Sequence, residues 1–241
     1  MRWKHFTWIL LPCLGLAQTP AQLTTPPPEV PAKPVDLAPP ASPLDSGVLR
    51  IMVNGQVAGR ESFEIEQNGS GYRARAEIKV RMPGGKEAVE SAVLNVTHLF
   101  DVLSYTRLQK SPKKASVQLE FSGGQAAGKV ITPEGAQDRE YYLDPKVCIL
   151  DTNFFHQYQL LPYRYDLKKG GVQALNIFIP QESFPGLLNL QYAGKEDGLH
   201  KWLAKAELEI AMWVDEQWRL MRLAVPAAKV EVLREVKSDR K

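Results

Sequence analysis

Tyr72-Arg73-Ala74-Arg75-Ala76-Glu77-Ile78-Lys79-Val80-Arg81-Met82 is the stretch that decides the fold class. Tyr72, Ala74, Ala76, Ile78, Val80 and Met82 alternate without a break against Arg73, Arg75, Glu77, Lys79 and Arg81, and only a period of two residues puts those sets on opposite faces. The stretch is therefore a strand with one buried and one wet face. The same alternation runs through Ala115, Val117, Leu119 and Phe121, and through Leu208, Ile210, Met212 and Val214 with Glu207 and Glu209 opposite. Strands wet on one side belong to an antiparallel sheet, since an all-parallel sheet is covered on both. Turn signals at Asn68-Gly69-Ser70-Gly71, Pro83-Gly84-Gly85, Gly123-Gly124, Gly170-Gly171 and Asp215-Glu216-Gln217 are too closely spaced for crossovers and imply hairpins among about ten strands.

Asp151 to Leu161 breaks this rhythm, with Asp151 or Thr152 placed to cap a helix and Pro162 placed to stop it. Phe154, Tyr158 and Leu161 fall on one helical stripe. A single short helix can pack only on the sheet. Val172 to Ile179 is apolar on both faces, Leu175, Ile177 and Ile179 on one and Val172, Ala174 and Phe178 on the other, which predicts a strand covered twice. The expected fold is mainly β: a curved antiparallel sheet, a half-barrel or incomplete barrel, with one short helix covering the concave side.

Outside this domain the chain has a different character. Arg2 and Lys4 precede an apolar run from Phe6 to Leu16, barely half the roughly 20 residues that span a bilayer. This is the layout of a secretory signal peptide, with Gly15-Leu16-Ala17 offering cleavage after Ala17 and a second choice after Ala21. Cys13 raises the rival of an acylated lipoprotein, against which Pro12 and the short run argue. Residues 20–43 hold nine of the 18 prolines, and proline-rich chain spans about 3.1 Å per residue. The division is a signal peptide at 1–17, a proline-rich linker at 18–46, the β domain at 47–236 and a charged tail at 237–241. Loss of residues 1–17 leaves 28 Lys plus Arg against 27 Asp plus Glu. That balance does not suggest nucleic acid, for which a basic stripe is expected. Lys110, Lys113 and Lys114 around Pro112 read as a solvated turn.

Catalytic signatures are absent from the sequence. His98, His156 and His200 lack ligand spacing, so neither a metal site nor a cofactor is expected. Cys148, Asp151 and His156 are close enough to suggest a thiol nucleophile with a base. The better reading makes Val147-Cys148-Ile149-Leu150 a buried strand end with an inert thiol, Asp151 the helix cap and His156 a helix-surface or pocket-rim residue. Phe154, Phe155, Tyr158, Tyr163 and Tyr165 either floor an apolar cavity or glue the helix to the sheet. Trp213 and Trp218 flank the turn at Asp215 and form either an exposed platform or a cross-strand packed pair.

Val53-Asn54-Gly55-Gln56-Val57-Ala58-Gly59 leading to Phe63, Leu150-Asp151-Thr152-Asn153, Asn176-Ile177-Phe178-Ile179-Pro180-Gln181, and Trp213-Val214-Asp215 with Arg219-Leu220 through Pro226 resemble uncharacterised bacterial envelope proteins whose fold is similar to the LolA/LolB lipoprotein carriers. The resemblance implies a half-barrel over an apolar cavity that accommodates acyl chains and carries over no active-site residues, while the signal-peptide layout gives the expectation of export to the periplasm or cell envelope. On it rests the expectation of a non-enzymatic protein holding an amphiphile, a lipid or acyl chain, against Phe154, Phe155, Tyr158, Leu161 and Phe178. The alternative is a structural or partner-binding β domain of the envelope, meeting another protein and no small molecule.

Overall fold

The computed structural model describes residues 34–69, 71–82 and 85–235, in which the deciding stretch forms the third of 15 strands. The N-terminal half supplies β1 (Asp45–Val53), β2 (Gln56–Asn68), β3 (Gly71–Arg81), β4 (Glu87–Thr97), β5 (Val102–Ser111), β6 (Ala115–Ser122), β7 (Gln125–Thr132) and β8 (Gly135–Tyr142). After β9 (Cys148–Ile149) and a 3-10 helix at Phe155–Arg164 come β10 (Val172–Ile179), β11 (Phe184–Glu196), β12 (Leu199–Lys205), β13 (Glu209–Val214), β14 (Leu220–Val225) and β15 (Val230–Arg234). The signal peptide and the rival acylation of Cys13 lie outside the described residues, as does the charged tail.

Two meanders make one sheet. Its order is β8-β7-β6-β5-β4-β3-β2-β1-β15-β14-β13-β12-β11-β10-β9, so each strand lies beside its sequence neighbours except that β8 and β9 form the two opposite edges and β1 meets β15 in the middle. All pairs are antiparallel apart from the two-residue β9, which runs parallel to β10. Short turns explain the meanders: Asn54-Gly55, Gly123-Gly124 and Asp197-Gly198 each put two consecutive residues at positive φ, the geometry of two-residue hairpin loops. The sheet is open in hydrogen bonding but strongly curved. Tyr141 near the end of β8 packs tilted against Phe178 of β10 with ring centroids 4.9 Å apart, and its hydroxyl lies 2.8 Å from Ser183 Oγ.

Alternation governs burial along the sheet. In β3, Ala74, Ala76, Ile78 and Val80 are buried while Arg75, Lys79 and Arg81 are exposed. Leu49 and Ile51 of β1 and Leu223 and Val232 of β14 and β15 complete the central core. Val172 to Ile179 departs from expectation: Ile177 and Phe178 are buried, but Val172 and Ala174 are exposed, so the double cover is confined to the end beside β9 and Tyr141. The proline-rich stretch is not wholly detached from the domain. Val35 N–H donates to the Leu167 carbonyl at 2.8 Å, and Val35 and Leu37 pack against the core.

Candidate functional site

The concave side of the sheet is occupied by the 3-10 segment, as expected, but on different terms. Its three-residue turn continues past Pro162 to Arg164, and no side chain caps its start at Phe154. Asp151 is thus not the helix cap. Its Oδ1 accepts the backbone N–H of Thr152 at 2.8 Å and of Gln181 at 3.3 Å, and its Oδ2 accepts the Tyr105 hydroxyl at 2.5 Å. Arg107 Nε stands 3.7 Å from the same Oδ2 and pairs through Nη2 with Glu90 at 2.8 Å.

A second buried carboxylate holds the helix itself. Glu61 of β2 is fully buried, and its Oε2 accepts the N–H of Phe155 at 2.9 Å and of His156 at 3.3 Å. Its Oε1 meets His156 Nδ1 at 2.5 Å. On the far side, Gln159 Oε1 accepts the N–H of Leu220 at 2.8 Å, and Arg164 binds Asp101 at 2.8 Å and the Leu99 carbonyl at 2.6 Å. The segment is therefore a strut tied to both meanders. His156 sits on no helix surface or pocket rim; it is completely buried, because Glu61 satisfies its Nδ1 and Phe63 stacks on its ring at 5.8 Å.

Burial and neighbouring charge together shift three titratable groups of this interior. Burial, then the Asp151 charge and its hydrogen bond, push the Tyr105 hydroxyl well above the usual phenol range, so it stays a neutral donor. Burial alone pulls down the Arg107 guanidinium, but Asp151 and Glu90 outweigh it and the side chain stays charged. Cys148 is buried, as expected, with burial raising its thiol to about 11. Arg164 is close enough to favour the thiolate, yet desolvation outweighs that attraction.

The five residues expected to line a cavity do converge on this interior, as packing. Phe154 and Phe178 are 0% exposed and Leu161 is 1% exposed; Phe155 is buried and Tyr158 half-buried. Beside them Leu94, Val96, Val102, Cys148, Leu160 and Leu161 border a cleft of about 20 Å3. That volume suits about one water molecule, against the roughly 300–1,000 Å3 of a ligand pocket. Aromatic packing continues outward, where Tyr163 lies between Phe100 at 4.7 Å and Trp218 at 4.9 Å, and Trp202 touches Tyr165, Tyr192 and Trp218. Trp213 and Trp218 are not packed on each other. Trp218 is in the core cluster, whereas Trp213, itself buried, lies on the other face of β13 beneath the cations of Lys201 and Arg222.

The sequence carried a signal for the polar interior that the alternation reading passed over. Glu61 shares its face with Phe63 and Ile65, and Glu90 shares its face with Ala88, Ala92 and Leu94. A carboxylate inside an apolar register needs a buried partner.

A second hollow lies on the opposite, outer face, where β6, β7 and β8 form a trough of about 510 Å3. Its lining sets the acids Glu120, Asp138 and Glu140 against the bases Lys129 and Arg139, beside the small Ala127 and Gly128. Gly128 is obligatory here, because a Cβ at that position would strike the Gln118 carbonyl. Sequence reading found β6 but neither β8 nor this trough, since β8 has no apolar alternation to mark it. Every residue of β8 except Tyr141 is exposed, including Gln137 and Arg139 on the inner side, so the β7–β8 hairpin extends beyond the core.

The fold defines a β-barrel-like protein built from one curved, open antiparallel sheet with an internal strut. Among solved structures it is similar to the β-barrel-like protein of Domain of Unknown Function DUF1849 from Brucella abortus, at 8% identity and a TM-score of 0.52, over 79% of this chain and 94% of that one. It also matches a DUF1089 family protein from Pseudomonas aeruginosa at 10% identity and a TM-score of 0.45, over 67% of this chain and 87% of that one. No family model matches the sequence, and no curated protein matches it.

Proposed function

We propose that this protein is a non-catalytic, exported β domain of the cell envelope that works by presenting its outer surface to a protein partner. The observation that carries the proposal is the filled interior: a strut locked by Glu61 and Asp151 occupies the concave side, leaving a cleft of about 20 Å3 among Leu94, Leu160 and their neighbours. The amphiphile reading that accompanies the LolA/LolB resemblance needs that space empty. An acyl chain gains roughly 0.8 kcal/mol per buried methylene, and entry here would first break the buried Glu61 and Asp151 contacts, at a cost of several kcal/mol.

The test is made on protein purified from its native source. Organic extracts analysed by mass spectrometry are expected to hold no stoichiometric lipid, and titration with a fluorescent fatty acid is expected to show no saturation. Saturable binding that weakens on Phe154→Ala or Tyr158→Ala, with an unaltered fold, would restore the amphiphile reading. Intact-mass analysis of the same material checks export, with a mature start at or near Gln18 expected.

A further inference from the structure

We infer that the free edge of β8, together with the outer trough beside it, is a docking site for an extended segment of a partner that carries Lys or Arg at alternate positions. This rests on the partner-binding reading above and names the chemistry of the partner.

The hydrogen-bonding phase of the hairpin shows which backbone groups are on offer. Thr132 and Gly135 close the two-residue loop Pro133-Glu134, so in an antiparallel ladder Gly135, Gln137, Arg139 and Tyr141 direct their N–H and C=O groups to β7. The same phase continues at the other end, where Leu143 N–H donates to the Gly124 carbonyl at 2.8 Å. Ala136, Asp138 and Glu140 therefore turn their backbone groups away from β7. No described strand pairs with that edge. A row of unmet donors and acceptors is a template for strand addition.

Side chains decide which strand fits. The residues offering the free edge are also those facing the trough, so an added strand would place its directly opposed side chains beside Asp138 and Glu140. Asp138 is 90% exposed and held only by Lys129 at 4.0 Å. Glu120 stands across the trough opposite Ala127, which in turn opposes Glu140. Glu140 already accepts from Gln125 and Tyr142, and Lys129 and Arg139 also line the trough, but Arg139 turns its guanidinium to Gln137 on the other face. The three acids thus outnumber the one cation held there and favour an opposing Lys or Arg beside the small Ala127 and Gly128.

A second copy of β8 fits poorly. Two such strands related by a two-fold axis normal to the sheet put Asp138 opposite Asp138, Asp138 opposite Glu140, or Glu140 opposite Glu140 in the registers that pair most of the strand. Like charges opposed across strands are destabilising. The edge is thereby protected against self-association while open to a basic strand.

The experiment uses the whole protein and a fluorescein-labelled peptide of alternating Lys and Val, with an alternating Glu and Val peptide as control, read by fluorescence anisotropy. The Lys peptide is expected to bind saturably, and raising salt should weaken it. The double variant Asp138→Lys with Glu140→Lys, its fold checked by circular dichroism, should bind the Lys peptide about tenfold more weakly and gain the Glu peptide. Asp138→Pro, which removes a free-edge donor while sparing the β7 ladder, should weaken both. Absence of saturable binding, binding indifferent to the charge reversal, or a dimer by sedimentation that depends on β8 would each overturn the site. None of these touches the lipid titration, so the failure of this inference and the failure of the partner-binding reading are separately visible.

Discussion

Glu61 accepts three hydrogen bonds while wholly shielded from water. Removing one member of a buried pair costs about 3–5 kcal/mol because its partners are left unpaired. Glu61→Ala is expected to lose that much in urea unfolding. His156→Ala should cost less, about 1–3 kcal/mol, because the carboxylate keeps its two backbone donors. Equal losses would mean that Glu61 acts only through the imidazole. Alkaline pH probes two further groups, as burial raises Cys148 from 9.0 to about 11 and Tyr158 from 10.0 to about 12. The folded chain then keeps protons that the unfolded chain has released, so the stability is fully present below about pH 9 and declines as pH rises through 9–12. At about 1.4 kcal/mol per unit, Cys148 accounts for a loss of roughly 2–3 kcal/mol. Urea midpoints between pH 8 and 11 should fall in the wild type and fall less steeply in Cys148→Ala. At pH 7.5 a thiol reagent should label Cys148 only after unfolding.

Among the elements, the strut and the β7–β8 hairpin are opposite cases. Phe154 is fully buried at the head of the strut, so Phe154→Ala should cost about 3–5 kcal/mol of stability, the price of a cavity in a packed core. In an empty half-barrel the same change would barely move the urea midpoint. The hairpin depends instead on close backbone approach at Gly128. Gly128→Val should push the Gln118 carbonyl aside and cost about 1–3 kcal/mol, with the faster amide exchange confined to β6–β8. Exchange that rises evenly across the sheet would show that β6–β8 is not an independently opening unit.

The two meanders are joined through the last described strand. β15 pairs with β1 on one side and β14 on the other, and the sheet order offers no other lateral link between the two meanders. A chain ending at Lys229 is therefore expected to lose its cooperative melt, and a retained sharp transition would place the junction elsewhere. Since β1 and β15 are nearly 180 residues apart, folding should fall in the slow, milliseconds-to-seconds range of non-local β topologies, as read by stopped-flow fluorescence of the buried Trp202 and Trp218.

The sequence alone determined the strands of the Tyr72–Met82 kind, hairpin turns such as Gly123-Gly124, the helical interruption after Asp151 and the burial of Cys148. Each follows from local rules: a period of two, two consecutive residues able to take positive φ, or a short apolar run. Gly170-Gly171, expected to close a hairpin, instead joins the 3-10 segment to β10. Tertiary structure decided which face of a mixed strand turns inward. In β5, Leu103 and Leu108 are exposed while Tyr105, Arg107 and Gln109 are buried, the reverse of what hydropathy dictates. The inversion holds because Glu90 on the neighbouring strand and Asp151 beside the strut meet Arg107 and Tyr105 inside. A charged side chain reads the same in a sequence whether it faces water or a buried partner. Only the fold supplies the partner, and for Glu61 that partner lies 95 residues away.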